Sequence, residues 1–427
     1  MISQDFLKAI ATEYNVSEGE LEVLSLAMQG QSTAEIAKRI GISGDAVRKR
    51  LSEVYQKFEI AGRGPVKLTK LQQILISRYQ QHQSKRMTGS PSKPRRVETV
   101  QANQRQDWGE APDISVFYGR TEELATLESW IVQENCRLVA LLGMGGIGKT
   151  AISVSCAKHL KEQFENVFWR SLRQAPLVED ILAALIEFLC PEITLPETVD
   201  AQISWLIEYF REHRTLVILD GAESILQSGN LAGVYREGYE GYGELIRRLA
   251  EEPHRSCLLI TSREKLSEIS LLEGETLPVR SLQIEGLGET ARLILKEKGL
   301  SGQKNWGELI RGYRGNPFML KLVATTIKEV FDGSVTDFLK TTLFTNDIND
   351  YIEEMLDRLT ELEEKILYQI ASKKVAVPLE ELKAIFPETS LQSLIRALAS
   401  LRQRSLVEKS EGGFTLPPAV MEVANQM

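Results

Sequence analysis

Eight consecutive residues, Gly143-Met144-Gly145-Gly146-Ile147-Gly148-Lys149-Thr150, follow the pattern G-x-x-x-x-G-K-[ST]. The chemistry follows from the spacing. Glycines let the chain curl so that several backbone N–H groups face one point, where a phosphate group fits. The helix expected from Lys149 onward adds the favourable potential of its N-terminus, with Ala151 in the same first turn. Lys149 is placed to bridge the β- and γ-phosphates of a nucleotide, and the Thr150 hydroxyl to hold Mg²⁺. A second element completes the constellation. The run TLVILD puts four apolar residues before Asp220, so the carboxylate stands at the C-terminal end of a buried strand, where α/β sheets bind ligands. Asp220 is expected to act on Mg²⁺, directly or through water. These residues predict binding of ATP or ADP with Mg²⁺.

The surrounding elements are those that such a loop requires. Short apolar runs at 138–142, 167–169, 216–219 and 257–261 alternate with helical patterns between 116 and 283. That alternation reads as a parallel sheet buried between helices. From 284 to about 350 the pattern is helical. From 351 to 427 three helical stretches precede SLVEK, GGF and TL, the outline of a winged helix with a short hairpin. The segment 84–112, SKRMTGSPSKPRRVETVQANQRQDWGEAP, lacks apolar periodicity and reads as a flexible linker. The expected architecture is therefore multidomain, α/β plus α. It comprises a helical helix-turn-helix head (1–83), a nucleotide-binding parallel-sheet domain (113–283), a helical domain (284–350) and a winged helix (351–427).

Charge divides along the same line. The 427 residues carry a net charge of −8, yet residues 1–107 hold 17 Lys+Arg against 11 Asp+Glu, and the rest hold 34 against 48. A basic head on an acidic body points to nucleic acid as one partner for the head; a merely soluble domain with a basic linker is the other reading. No stretch has the ~18 consecutive apolar residues of a membrane span. The N-terminus lacks a signal peptide's features, and the four cysteines have neither disulfide nor zinc spacing. A cytoplasmic protein is expected.

The remaining motifs resemble the NB-ARC branch of the STAND ATPases, nucleotide-dependent signalling switches. Val116-Phe117-Tyr118-Gly119-Arg120-Thr121-Glu122-Glu123-Leu124 is similar to the motif that lines the family's adenine pocket. The resemblance implies that Tyr118 and Arg120 touch the base. Leu259-Ile260-Thr261-Ser262-Arg263 is similar to the sensor strand, which implies that Arg263 approaches the γ-phosphate. Arg314-Gly315-Asn316-Pro317-Phe318-Met319-Leu320 resembles the helical domain's G-x-P motif, which implies that Pro317 packs on the nucleotide. LVALLGMGGIGKTA, FWRSL, CLLITSREK and GNPFMLKLVATTI closely resemble bacterial NB-ARC proteins that often carry C-terminal WD repeats. Residues 116–427 contain no such repeats, so a separate sensor protein is expected.

Two departures shape the expected mechanism. The family's strand often ends in two acidic residues, but Gly221 follows Asp220, and the next acid is Glu223. Hydrolysis is therefore expected to be slow, with Glu223 as the alternative base. The family's Met-His-Asp triplet corresponds here to Leu416-Pro417-Pro418, so that histidine lock is absent or replaced. The family's winged helix is an internal clamp, and the same role is expected here. The implied mechanism is an ADP-bound closed form that ATP converts to an open, self-associating one.

Residues 17–63 resemble a LuxR-type helix-turn-helix, on Ser17, Glu20, Glu22-Val23-Leu24, Gly30, Glu35-Ile36-Ala37, Ile42-Ser43, Val47, Lys57 and Arg63. Val47, Leu51, Val54 and Phe58 make one buried stripe. The opposite face then offers Lys49, Ser52 and Gln56 to base edges, with Arg48 and Arg50 toward phosphates. Asp45 and Glu53 oppose tight binding to DNA, and a protein-interaction module is the competing reading. Three classes stay open: a nucleotide-gated transcription regulator, a signalling or defence scaffold whose head recruits a protein, and a plain ATP hydrolase.

Overall fold

The structure, a computed structural model, describes residues 14, 16–28, 33–58, 104–114 and 117–426, without the side chains of residues 18, 28, 34, 35, 45 and 56. The chain forms two compact units, 1–99 and 100–427. Val116 and most of the expected linker, 84–103, lie outside the described residues.

Within the larger unit, six parallel strands lie in the order β1-β3-β4-β5-β2-β6. They are β1 (Arg105–Asp107), β2 (Leu138–Leu142), β3 (Asn166–Ser171), β4 (Thr215–Asp220), β5 (Cys257–Ser262) and β6 (Val279–Gln283). β2, β4 and β5 are buried along their whole length, and their side chains alternate between two cores. Leu138, Ala140, Val217, Leu219, Leu258 and Ile260 join one; Val139, Leu141, Leu216, Ile218, Cys257 and Leu259 join the other. Helices on both faces explain why each central strand reads as an unbroken apolar run.

Register then sets the chemistry. Leu142 pairs with Ser262, and Asp220 with Thr261. The loop after β2, the end of β4 and the end of β5 therefore open at one edge of the sheet, as ligand sites in such sheets do.

Two strands were not expected. β1 falls inside the segment read as linker and pairs with β3 from Arg105↔Asn166 to Asp107↔Phe168, so the linker cannot extend through 112. Among the described residues, β6 pairs with β2 alone. Both are edge strands, and an edge strand escapes the full burial that forces a continuous apolar run.

Past β6 the chain is helical, then a winged helix, but the two share one core running from Ala291 to Ala424. The boundary expected at 350/351 falls inside a helix, Asn346–Leu356. The winged-helix part opens with Glu361–Lys373, fixed by a capping box in which Thr360 and Glu363 satisfy each other's amides. Leu379–Ile385 and Leu391–Gln403 follow, then an antiparallel hairpin, β7 (Glu408–Ser410) and β8 (Gly413–Thr415). A last helix, Pro418–Ala424, packs on the shared core.

Among the described residues of the smaller unit, three helices, α1 (Glu18–Met28), α2 (Thr33–Ile40) and α3 (Gly44–Lys57), enclose Val23, Leu26, Ala27, Ile36 and Val47. The α3 stripe is as expected: Val47, Val54 and Phe58 are buried and Leu51 packs half-buried.

Candidate functional site

The loop from Gly143 to Thr150 carries three left-handed glycines, Gly143, Gly146 and Gly148, at φ +147°, +71° and +107°. A side chain strains such backbone, so the motif's glycine positions are a geometric necessity. The curl leaves a ring of donors. Among the described residues, no protein acceptor takes the amides of Gly145, Gly146, Gly148, Lys149 or Thr150, whereas the Ile147 amide bonds Met144 O. Unpaired amides at the start of the helix Lys149–Leu160 are donors of the kind that an anion can take.

Lys149 is buried and donates Nζ to Gly143 O at 2.8 Å and to Met144 O at 3.1 Å. Burial pulls its pKa down to about 8, against the pull of Glu223. It is thus a cation held in reserve beside the amide ring. Thr150 Oγ1 donates to Asp220 Oδ2 at 3.0 Å, and Thr261 Oγ1 to Asp220 Oδ1 at 2.8 Å. Burial pushes the Asp220 carboxyl above its ordinary range, while Thr150, Thr261 and Arg173 oppose that push. A hydroxyl and a buried carboxylate side by side, the hydroxyl on the residue after Lys149, form a donor set that fits Mg²⁺.

Arg263 and Glu223 hold each other. Arg263 Nε lies 3.1 Å from Glu223 Oε1, and its backbone amide donates to Oε2 at 3.1 Å. The proposed sensor and the proposed base are therefore paired, beside Gly145, where an added Cβ would meet the Arg263 guanidinium at 3.2 Å.

The helical part docks on the other side of the loop. Asn316 caps the helix Pro317–Val330, its Oδ1 accepting from the amides of Phe318 and Met319. Its Nδ2 donates to Gly145 O at 2.9 Å, and the Phe318 amide donates to Gly146 O at 3.3 Å. The helix start thus grips the loop by its carbonyls and leaves the amides free. Pro317 occupies the first turn, half-buried. Phe318 meets Tyr351 with ring centroids 4.7 Å apart.

Arg120 is held between the loop and the segment after β6. Its buried guanidinium donates to Ile147 O at 2.9 Å and to Glu285 O at 2.7 Å, and pairs with Glu123 at 2.7 Å. The two carbonyl bonds brace the loop against the end of β6. Tyr118 is half-buried. A cleft of about 240 Å³ lies next to it in sequence, lined by Gly119, Arg120, Thr121, Glu123, Gly286, Leu287 and Thr290.

A second cluster, invisible in the sequence, joins this edge to the winged helix. Glu264, directly after Arg263, accepts from Arg358 Nε at 2.6 Å and Arg404 Nη1 at 3.0 Å through Oε1. Arg404 also donates to Asn230 O at 2.5 Å and lies 3.6 Å from Glu363 Oε1. Arg358 donates to the carbonyls of Glu223 and Leu226 at 3.1 and 3.2 Å. Glu264, Glu363 and Arg404 are all buried. Burial pushes the Glu264 carboxyl upward, with Arg404 and Arg358 opposing.

In the head, Arg48, Lys49 and Ser52 are exposed on α3. Arg50 is not: Nη1 turns inward to Gly19 O at 3.3 Å. It splints α3 to α1, so its placement departs from the expected phosphate-facing role. The Gln56 side chain lies outside the described residues.

Comparison with known proteins places these features in context. Residues 137–301 match the NACHT domain, and residues 14–66 match the bacterial regulatory proteins of the luxR family. The first match is to NACHT where the motifs pointed to NB-ARC; a STAND-like P-loop NTPase domain is the level at which the two agree. An uncharacterized WD repeat-containing protein of Nostoc sp. is 48% identical over 340 residues, 75% of this chain. The chain spans only 27% of that relative's length. A Walker-type ATPase of Pyrococcus abyssi shares the fold, with TM-score 0.51 and 16% identity over 72% of this chain and 96% of its own.

Proposed function

We propose that this chain, a STAND-like P-loop NTPase with a LuxR-type head, is a nucleotide-gated regulator that assembles on DNA in its ATP state. One observation carries the reading: Arg263, next to the amide ring, adjoins Glu264, the carboxylate gripped by Arg358 and Arg404 of the C-terminal part.

The switch follows from charge. With ADP in the loop, Arg263 has Glu223 as its nearest anion. A γ-phosphate adds negative charge on the same side and competes for that guanidinium. Movement of Arg263 carries the peptide to Glu264 with it, and the latch loosens. Inverting a strongly closed population requires about 5.5 kcal/mol of differential binding. Lys149, Arg263 and the amide ring each meet the last phosphate with charge or a dipole. Thr150 and Asp220 are the residues that would hold Mg²⁺, which when bound neutralises polyphosphate charge.

Glu223 reaches its role as base only after Arg263 lets go, so hydrolysis in the closed form is slow. Opening allows copies to associate, and paired heads bind paired half-sites more tightly through effective concentration. Arg48 and Lys49 are the exposed cations on α3 for that contact.

The test is DNA binding by the full chain across salt concentration, with ADP and with a non-hydrolysable ATP analogue. The reading expects steep salt dependence and stronger binding with the analogue. It also expects Lys149→Ala to abolish the nucleotide effect. Binding indifferent to nucleotide, or no DNA binding with capture of a protein that survives Arg48→Ala and Lys49→Ala, overturns it in favour of a recruiting scaffold.

A further inference from the structure

Arg173 lies in the turn after β3, where its amide donates to Ser171 Oγ at 3.3 Å. Its side chain crosses Gly221, where an added Cβ would stand 3.1 Å from Arg173 Cγ. The left-handed glycine after Asp220 thus leaves the path along which the arginine reaches the site. Nη2 ends between the two groups that would hold a divalent cation. It donates to Thr150 Oγ1 at 3.2 Å and lies 3.6 Å from Asp220 Oδ2. The Asp220 side chain is 1% exposed, and among the described residues Arg173 supplies its one ion pair.

A buried carboxylate needs a neutralising partner. At this site either a divalent cation or the guanidinium can supply it. The two exclude one another, because they would use the same oxygens. Two-thirds of the Arg173 side chain is exposed, so it can swing into solvent with little loss of packing.

We infer that Arg173 is a resident counter-ion and a specificity-determining residue of the nucleotide site. It lets the site keep a nucleoside diphosphate without divalent metal, and it raises the metal concentration at which a triphosphate binds. Metal-free diphosphate and metal-bound triphosphate thereby become alternative states of one site, distinguished by which cation faces Asp220. The inference rests on the nucleotide-site reading above.

The experiment uses nucleotide-stripped full chain and fluorescent N-methylanthraniloyl nucleotides. ADP affinity is measured in EDTA and in Mg²⁺, and a Mg²⁺ titration is run with the ATPγS analogue, for wild type, Arg173→Ala and Arg173→Lys. Arg173→Ala is expected to weaken ADP binding in EDTA about fivefold, the scale of one partly exposed charge contact. It is expected to lower the half-saturating Mg²⁺ concentration by about the same factor. Arg173→Lys should fall between the two. Equal weakening with and without Mg²⁺ would make Arg173 an ordinary phosphate contact and overturn the inference, as would no change in either titration. If wild type binds neither nucleotide, the site reading itself fails, an outcome distinct from both.

Discussion

Replacing Arg404 by alanine removes the centre of the latch between the sensor strand and the winged helix. The Arg404 and Glu264 side chains are each 3% exposed. Deleting one partner of a buried pair costs about 3–5 kcal/mol, because the other charge is left in a poor solvent. Glu264 keeps Arg358 at 2.6 Å, so the lower end applies, about 3 kcal/mol. Spent on the closed form alone, that amounts to roughly a hundredfold shift toward opening. It falls short of the ~5.5 kcal/mol that inverts a strongly closed population. The variant should therefore stay responsive to nucleotide but release ADP far faster.

Stopped-flow release of fluorescent ADP measures this directly. The account expects about a hundredfold acceleration for Arg404→Ala and a smaller one for Arg404→Lys, which keeps the charge. Arg292→Ala breaks a far more exposed pair with Glu289 and should stay within about twofold of wild type. Release at the wild-type rate from a folded Arg404→Ala protein would refute the idea that this cluster holds the closed form.

Other expectations follow from the same geometry. Asn316→Ala should lower stability by about 1 kcal/mol for the lost helix cap; because the tether to Gly145 O goes too, hydrogen exchange at 143–147 should rise, and unchanged protection would argue against docking through this residue. The Lys149 pKa of about 8 predicts that nucleotide affinity is highest below pH 8. Affinity should fall by up to about tenfold per pH unit above it, since the phosphates favour the protonated form; a flat profile to pH 9.5 in calorimetry would contradict this. His254 accepts from the Ser256 amide and contacts Leu249 O through Nε2 at 2.9 Å, and burial holds its pKa down at about 4. The unfolded chain then binds the extra proton between about pH 6.5 and 4, so stability rises with pH across that window. About 3 kcal/mol should be lost on acidifying through it, and urea unfolding of His254→Asn should show a shallower slope there.

Much of the nucleotide edge was legible in the sequence, because its parts are local. Glycines at fixed spacing, a lysine and threonine at a helix start, and an aspartate ending an apolar run each announce backbone geometry. The central strands were legible for a similar reason: burial on both faces leaves a continuous apolar run. β1 and β6 escaped because edge strands need no such run. Asn316 had a local signal, an Asn before Pro at a helix start, that was passed over for the proline beside it. Arg173, Arg404 and Glu264 had none. Arg173 reaches Thr150 across 23 positions of sequence, and Arg404 reaches Glu264 across 140. Arg120 was read as a base contact from its place in a family-like motif, and Arg50 as a phosphate contact from its place on the recognition helix. The structure shows bonds from both to backbone carbonyls, and sequence alone does not reveal where a long side chain finds its acceptors.

The central claim is that the amide ring before Lys149 binds a polyphosphate whose last charge governs how the surrounding parts sit. Small-angle scattering with sedimentation velocity, on one preparation saturated first with ADP and then with Mg²⁺ and a non-hydrolysable ATP analogue, tests it most directly. The account predicts a compact species with ADP and a more extended, self-associating species with the analogue. Superimposable scattering curves and a single sedimentation coefficient in both states would contradict it.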